Sequence, residues 1–164
     1  MGGLYIPLPT VGVKRRSDDM QTFLPYAEFE RSAQVLDYRR LGKQRVETWQ
    51  LIRAINGETR GWRNHPAAVM WRDHVPALAL YGKVICEEWI QRGYNDSMLP
   101  RFELILSGHS EGPELPSWLG NKNFHISHQS NLIRKFPEHY RMHWPEVPED
   151  LPYIWPGSKN VLAA

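Results

Sequence analysis

Four cations and one carboxylate on a single predicted helix are the residues of this 164-residue chain best placed by type to do chemistry. Arg39, Arg40, Lys43 and Arg45 cluster at the helix start, and Glu47 follows two residues after the last of them. A carboxylate beside several cations can stabilise a developing positive charge or move a proton. The cations themselves can hold phosphates. The same spacing allows a plainer outcome, in which Glu47 pairs with Lys43 four residues earlier and the cations form a solvated face. Residues 31–63 hold eight Lys/Arg and three Asp/Glu, an excess of five positive charges on a chain whose formal net charge is +2. The remainder is therefore slightly acidic. A local basic surface on a near-neutral protein points to an anionic partner such as a phosphate backbone.

Three further clusters carry polar chemistry. The corner Trp62-Arg63-Asn64-His65-Pro66 stands where a helix begins, so its residues either contact a phosphate or base at the free backbone N–H groups or simply cap the helix. A later helix carries His125, His128, Asn131, Arg134 and Lys135. His125 and His128, three apart, could share a metal ion, as in a metal-assisted nucleic-acid or nucleotide hydrolase. His128, Asn131 and Lys135 share a face that could instead line a nucleic-acid groove, and histidines satisfied within the fold are a third outcome. The arrangement loosely resembles His-Asn-His nucleases, without the β-hairpin those sites need. Last, Trp144, Tyr153 and Trp155 in the tail either stack on bases or anchor a Pro-rich segment to the body.

The elements that must position these groups are helices. Phe29, Ala33 and Leu36 predict a short helix over Tyr26 to Asp37. The next spans Tyr38 to Ile55 and stops at Asn56-Gly57, with Leu41, Thr48, Ile52 and Ile55 on one face and Arg39, Lys43 and Arg53 turned outward. Pro66 opens a short helix to Trp71, and a longer one restarts at Pro76 and ends at Gly93. Leu78, Tyr81, Ile85 and Trp89 make this longer helix the expected core element. Residues 94–121 read as a loop with one helical turn around Arg101 to Leu106, followed by a helix over Asn121 to Phe136 and a short one opened by Pro137. The tail PEVPEDLPYIWP reads as extended and laid against the body. The fold class is all-α: a compact single-domain helical bundle over residues 20–156 with an extended aromatic and Pro-rich C-terminal tail. Residues 1–19 read as a flexible extension, an upstream start before Met20, or a basic arm, and residues 157–164 as a loose end.

Composition narrows the class of protein. Hydrophobic residues make up 41% and charged residues 23%, as in ordinary globular domains. The one cysteine, Cys86, excludes an internal disulfide and a Cys-based zinc site. No apolar run is long enough for a membrane span, and no signal peptide is visible, which makes the cytoplasm the expected compartment.

The order and spacing of several motifs resemble the pyrimidine-dimer DNA glycosylase family, of the phage endonuclease V type, and an actinobacterial-like branch of its relatives. A short segment, Met20-Gln-Thr-Phe-Leu-Pro-Tyr26, leads to the helix motif Leu41-Gly42-Lys43-Gln44-Arg45. His65 follows in the run NHPAAVMW, then a helix ending in Arg92-Gly93-Tyr94, and more loosely the tail Tyr153-Ile154-Trp155-Pro156. The resemblance implies an all-α DNA repair enzyme, a monomer acting on damaged or modified pyrimidines in double-stranded DNA without metal or cofactor. An N-terminal amine attacks the sugar C1′ and forms a Schiff base, a Glu on the basic helix assists, and β-elimination then breaks the strand. The resemblance assigns catalysis to Glu47, Arg45 and His65. Taken with the residue clusters above, phosphate or base contact falls to Arg39, Arg40, Lys43, Arg63, Asn64, His128, Asn131, Arg134, Lys135, Tyr153 and Trp155. A non-catalytic DNA-binding protein of the same fold is the alternative. In two respects the chain departs from the family. Val46 stands between Arg45 and Glu47, whereas the family Glu directly follows its Arg; one residue turns a helix by about 100°. Nineteen residues also precede the candidate start at Met20-Gln21.

Overall fold

A computed structural model describes residues 20–157; the expectations for residues 1–19 and 158–164 lie outside the described residues. In chain order the helices are α1 (Phe29–Val35), α2 (Tyr38–Ile55), α3 (Pro66–Trp71), α4 (Val75–Gln91), α5 (Leu99–Leu106), α6 (Lys122–Lys135) and α7 (Pro137–Tyr140). No strand occurs among the described residues, and the protein is all-α as its periodicity predicts. No helix among them is long and apolar enough to cross a membrane.

The core forms around α4, which packs along α2 and also against α1 and α5. Leu78, Tyr81 and Ile85 of α4 are fully buried, together with Trp71, Phe102, Phe124 and Tyr140 from other helices. Each such side chain contributes roughly 1.5–3 kcal/mol by leaving water. Two glycines let helices approach closely. A Cβ on Gly42 would stand 2.8 Å from the Trp89 ring, and one on Gly82 would stand 2.5 Å from the Phe102 ring.

Two element boundaries differ from expectation. The helix expected over Tyr26 to Asp37 is confined to Phe29–Val35, because Asp37 leaves it to cap α2, accepting a bond from the Arg40 amide at 3.3 Å. The single turn expected around Arg101 is the two-turn helix α5, opened by Asp96, whose carboxylate accepts from the Met98 and Leu99 amides at 2.9 and 2.7 Å. The Asp96 signal is a carboxylate, two residues ahead of the Met98 cap, that takes the amides at the helix start, hidden in sequence by Pro100 close after it.

The first described residues are the most deeply held. Met20 to Leu24 are all buried, in extended backbone between α2, α4 and α6. Side chains complete the hydrogen bonds that a neighbouring strand would otherwise make. The Phe23 amide donates to Gln44 Oε1 at 2.9 Å and the Leu24 amide to His128 Nδ1 at 2.9 Å. Gln44 Nε2 donates to the Gln21 carbonyl at 2.7 Å, and His125 Nδ1 lies 2.8 Å from the Leu24 carbonyl. A buried backbone must be paired in this way or lose about 1–3 kcal/mol per orphaned group.

Candidate functional site

The burial pattern divides α2 lengthwise, since successive residues turn by about 100°. Arg39, Lys43, Val46, Gln50 and Arg53 are exposed and form an outward stripe. Arg40, Gln44 and Glu47 fall on one flank of that stripe; Tyr38, Gly42 and Arg45 fall on the other. The first flank walls a pocket of about 320 Å³, lined by Phe23, Arg39, Arg40, Lys43, Gln44, Glu47 and Lys135. Four cations thus surround one carboxylate.

The Glu47 side chain is only 11% exposed. Its Oε2 lies 3.4 Å from Lys43 Nζ, and its Oε1 accepts from Gln44 Nε2 at 3.3 Å. Gln44 is the hub of the site. Its amide nitrogen joins Glu47 to the Gln21 carbonyl, while its oxygen takes the Phe23 amide and lies 2.6 Å from the Tyr81 hydroxyl. Burial, and then the Glu47 charge, push the Tyr81 hydroxyl well above its ordinary pKa, so it stays protonated and can donate. Lys43 is 63% exposed, and an exposed i,i+4 ion pair contributes little to stability, so its ammonium can turn to a phosphate without loosening the fold. Arg40 is tied to Asp37 at 3.1 Å. Burial raises the Asp37 pKa, but the Tyr140 hydroxyl and Arg40 outweigh it and hold the carboxyl below its usual value.

Gln44, Gln21 and Tyr81 were not anticipated. The available signal was Gln44 itself, a polar residue standing between Leu41 and Thr48 on the buried stripe, where a side chain must find partners.

Several expected site residues stand elsewhere. Arg45 does not face the pocket. Its guanidinium is paired with Asp96 at 2.6 Å, lies 4.5 Å over the Trp89 ring, and so joins α2 to the start of α5. Asp96 is held below its ordinary pKa: burial pushes it up, but Arg45 prevails. His65 is not among the residues that line the Glu47 pocket. Its Nδ1 accepts from the Ala67 amide at 3.0 Å as the α3 cap, and its ring meets Trp62 and Trp155 edge-on at 5.8 and 5.6 Å. Arg63 and Asn64 line a different hollow, with Ala54, Ile55 and Arg72 at the far end of α2.

In the late-helix cluster most side chains are engaged within the fold, while Lys135 lines the Glu47 pocket. His125 Nε2 accepts from the Gly120 amide at 2.9 Å, which leaves Nδ1 to donate to Leu24. His128 Nδ1 accepts from Leu24, so the proton is on Nε2 in a fully buried ring. Burial, with His125 beside it, drives the His128 pKa down to about 3; burial also lowers that of His125. Both rings are neutral clamps on the backbone. Among the described residues no three His, Cys, Asp or Glu side chains come together to hold a metal ion. Asn131 Nδ2 donates to the Leu151 carbonyl at 3.0 Å and Arg134 Nη1 to the Glu149 carbonyl at 2.7 Å, so both clasp the tail. Tyr153 meets His128 edge-on at 5.3 Å, and Trp155 reaches His65, which is how the tail aromatics lie on the body.

Fold and site together define an all-α protein in which a basic helix and an extended N-terminal segment enclose one shielded carboxylate among cations. Residues 20–100, just under half of the chain, match the family model described as pyrimidine dimer DNA glycosylase, and over that segment the chain is similar to that family. The matched segment supplies the whole pocket except Lys135. No curated protein and no solved structure matches the chain.

Proposed function

We propose that the protein is a DNA repair glycosylase with AP-lyase activity that acts on damaged or modified pyrimidines. The observation that carries this reading is the shielded Glu47 carboxylate inside a pocket rimmed by Arg39, Arg40, Lys43 and Lys135. In this reading the cations hold the phosphates on either side of the target nucleotide. Phe23 supplies an apolar wall for the base, and Glu47 stabilises the positive charge that develops at the sugar. The nucleophile is an amine. Its nitrogen bonds to C1′, the base leaves with the glycosidic electron pair, and loss of a proton from C2′ then breaks the C3′–O bond. A neutral amine is required, and an α-amino group with pKa near about 8 meets that better than a lysine near about 10.4. Gln44 Nε2 joins the Gln21 carbonyl to Glu47, so a form of the chain beginning at Gln21 would bring its α-amine into this neighbourhood.

Borohydride trapping on duplex DNA carrying an abasic site or a cyclobutane dimer tests the proposal, with the full chain and a form starting at Gln21 compared. A covalent adduct lost in Glu47→Gln is the expected result, and unchanged trapping by that variant removes Glu47 from the chemistry. A second reading, a DNA-binding protein without chemistry, is favoured by the placement of Arg45 and His65 outside the pocket. It predicts salt-sensitive binding with no adduct.

A further inference from the structure

The Gln44 amide has one permitted orientation, because groups from the N-terminal segment, α4 and α2 itself surround it. Its Oε1 takes the Phe23 amide at 2.9 Å and lies 2.6 Å from the Tyr81 hydroxyl. Its Nε2 gives one hydrogen to the Gln21 carbonyl at 2.7 Å and the other to Glu47 Oε1 at 3.3 Å. Turned over, the amide would set its N–H groups against the Phe23 amide and its oxygen against a carbonyl and a carboxylate. Gln44 and Tyr81 are fully buried and Gln21 is 1% exposed, so bulk water replaces no lost partner. Tyr81 is itself fixed. Its ring meets Phe29 edge-on at 5.5 Å and 87°, and its hydroxyl also reaches the Phe23 carbonyl at 2.8 Å. Trp71 Nε1 donates to Thr22 Oγ1 at 3.0 Å and holds the same extended segment. The amide hydrogen at Glu47 Oε1 leaves no place there for a proton on the carboxylate.

We propose that Gln44, oriented by Tyr81, is the positioning residue for Glu47: it presents the carboxylate to the pocket in its charged, accepting form and ties it to the Gln21 backbone. The inference rests on the reading of Glu47 as the carboxylate that acts in the reaction. The amide suits this task because its nitrogen donates two hydrogens and never ionises. A carboxyl of nearly the same shape, as in Gln44→Glu, cannot replace it. Where the nitrogen stood it offers at most one hydrogen, which serves either the Gln21 carbonyl or Glu47. Left charged, it sets two carboxylates at hydrogen-bond distance, and such a pair retains a shared proton to higher pH. The charged groups that face the same pocket are Lys43, 3.4 Å from Glu47 Oε2, Arg39 and Arg40 on α2, and Lys135 from α6. None of them is altered by the replacement, so a changed titration of Glu47 reports on Gln44.

Two readouts test this on the full chain and, beside it, the form beginning at Gln21. One is the NMR titration of the Glu47 carboxyl carbon, assigned by its loss in Glu47→Gln. The other is borohydride trapping on abasic duplex across about pH 5 to 9. In Gln44→Glu the Glu47 carboxyl titrates at least about one pH unit higher, and trapping falls about tenfold near neutrality and recovers as pH rises. Tyr81→Phe keeps the ring and its packing but removes one of the two donors that fix and polarise the amide. It shifts the titration the same way by less and lowers trapping several-fold. An unmoved Glu47 titration in Gln44→Glu, or a trapping loss equal at every pH, overturns the proposal, since a purely structural role predicts a loss without a pH signature. So does a Tyr81→Phe protein that matches wild type in both readouts, a result that does not require Gln44→Glu to fold. With wild-type trapping present and lost in Glu47→Gln, these outcomes leave the Glu47 reading intact. An adduct absent from both wild-type forms, or unchanged in Glu47→Gln, overturns both.

Discussion

The two polar clusters of this protein, one on α2 and one on α6, resemble each other in sequence and differ in what they face. Each sets titratable side chains three or four residues apart beside cations. On α6, His125 and His128 turn inward; His125 spends both ring nitrogens on the backbone of Gly120 and Leu24, and His128 spends its Nδ1 on the Leu24 amide. On α2, Arg39 and Lys43 turn outward, and Glu47 sits at the edge between core and pocket. The difference is one of partners. A polar group enclosed with unpaired backbone is consumed by it, whereas one at a pocket rim keeps capacity for a ligand. Gln44 shows both behaviours in one side chain, with three bonds into the fold and one to Glu47.

The contrast can be broken by exchanging what each cluster is asked to do. The largest effect is expected at Glu47. Glu47→Gln should lower the yield or rate of borohydride trapping at least about a hundredfold while the melting temperature stays within a few degrees. A large stability loss with intact trapping would make α2 a structural cluster like α6. His128→Leu should do the reverse. It orphans the Leu24 amide and should cost about 2 kcal/mol of stability in urea unfolding, with the salt slope of DNA binding unchanged.

The pH dependence separates the clusters in a third way. His128 has a folded pKa of about 3 against the ordinary 6.5, so between these values the unfolded chain binds a proton that the folded one refuses. The stability this provides is complete above about pH 6.5 and is lost as pH falls toward 3. The expected slope is about 1.4 kcal/mol per pH unit from His128 alone. Urea midpoints between pH 6.5 and 4.5 should show it, and His128→Asn should flatten it. The smallest effect belongs to the outward stripe: Lys43→Gln should reduce the salt slope of duplex binding by about 0.9 and weaken binding only several-fold.

Much of the fold was legible because helix signals are local. The Tyr38–Ile55 boundaries, the outward turn of Arg39, Lys43 and Arg53, and the central place of Leu78, Tyr81 and Ile85 all follow from periodicity and stop signals. The site was legible in part. The α2 cations and Glu47 were identifiable from charge and from the family motif, and Lys135 proved to complete their pocket. Gln44 and Tyr81 stand 37 residues apart, and no local pattern joins them. Arg45 was placed with its neighbours by charge, yet it lies on the far flank of the helix because Asp96, 51 residues later, claims it.

By itself, then, the amino-acid order determined that the chain is helical, where its long helices run, and that one of them is basic on its outer side. Those properties depend on contacts within a turn or two. Only the tertiary structure decided which polar residues remain available to a ligand. Leu24 claims two histidines about a hundred residues away, and Asp96 claims Arg45. These pairings form only when the buried N-terminal segment and the ends of distant helices are packed, since burial makes an unpaired polar group too costly to leave open.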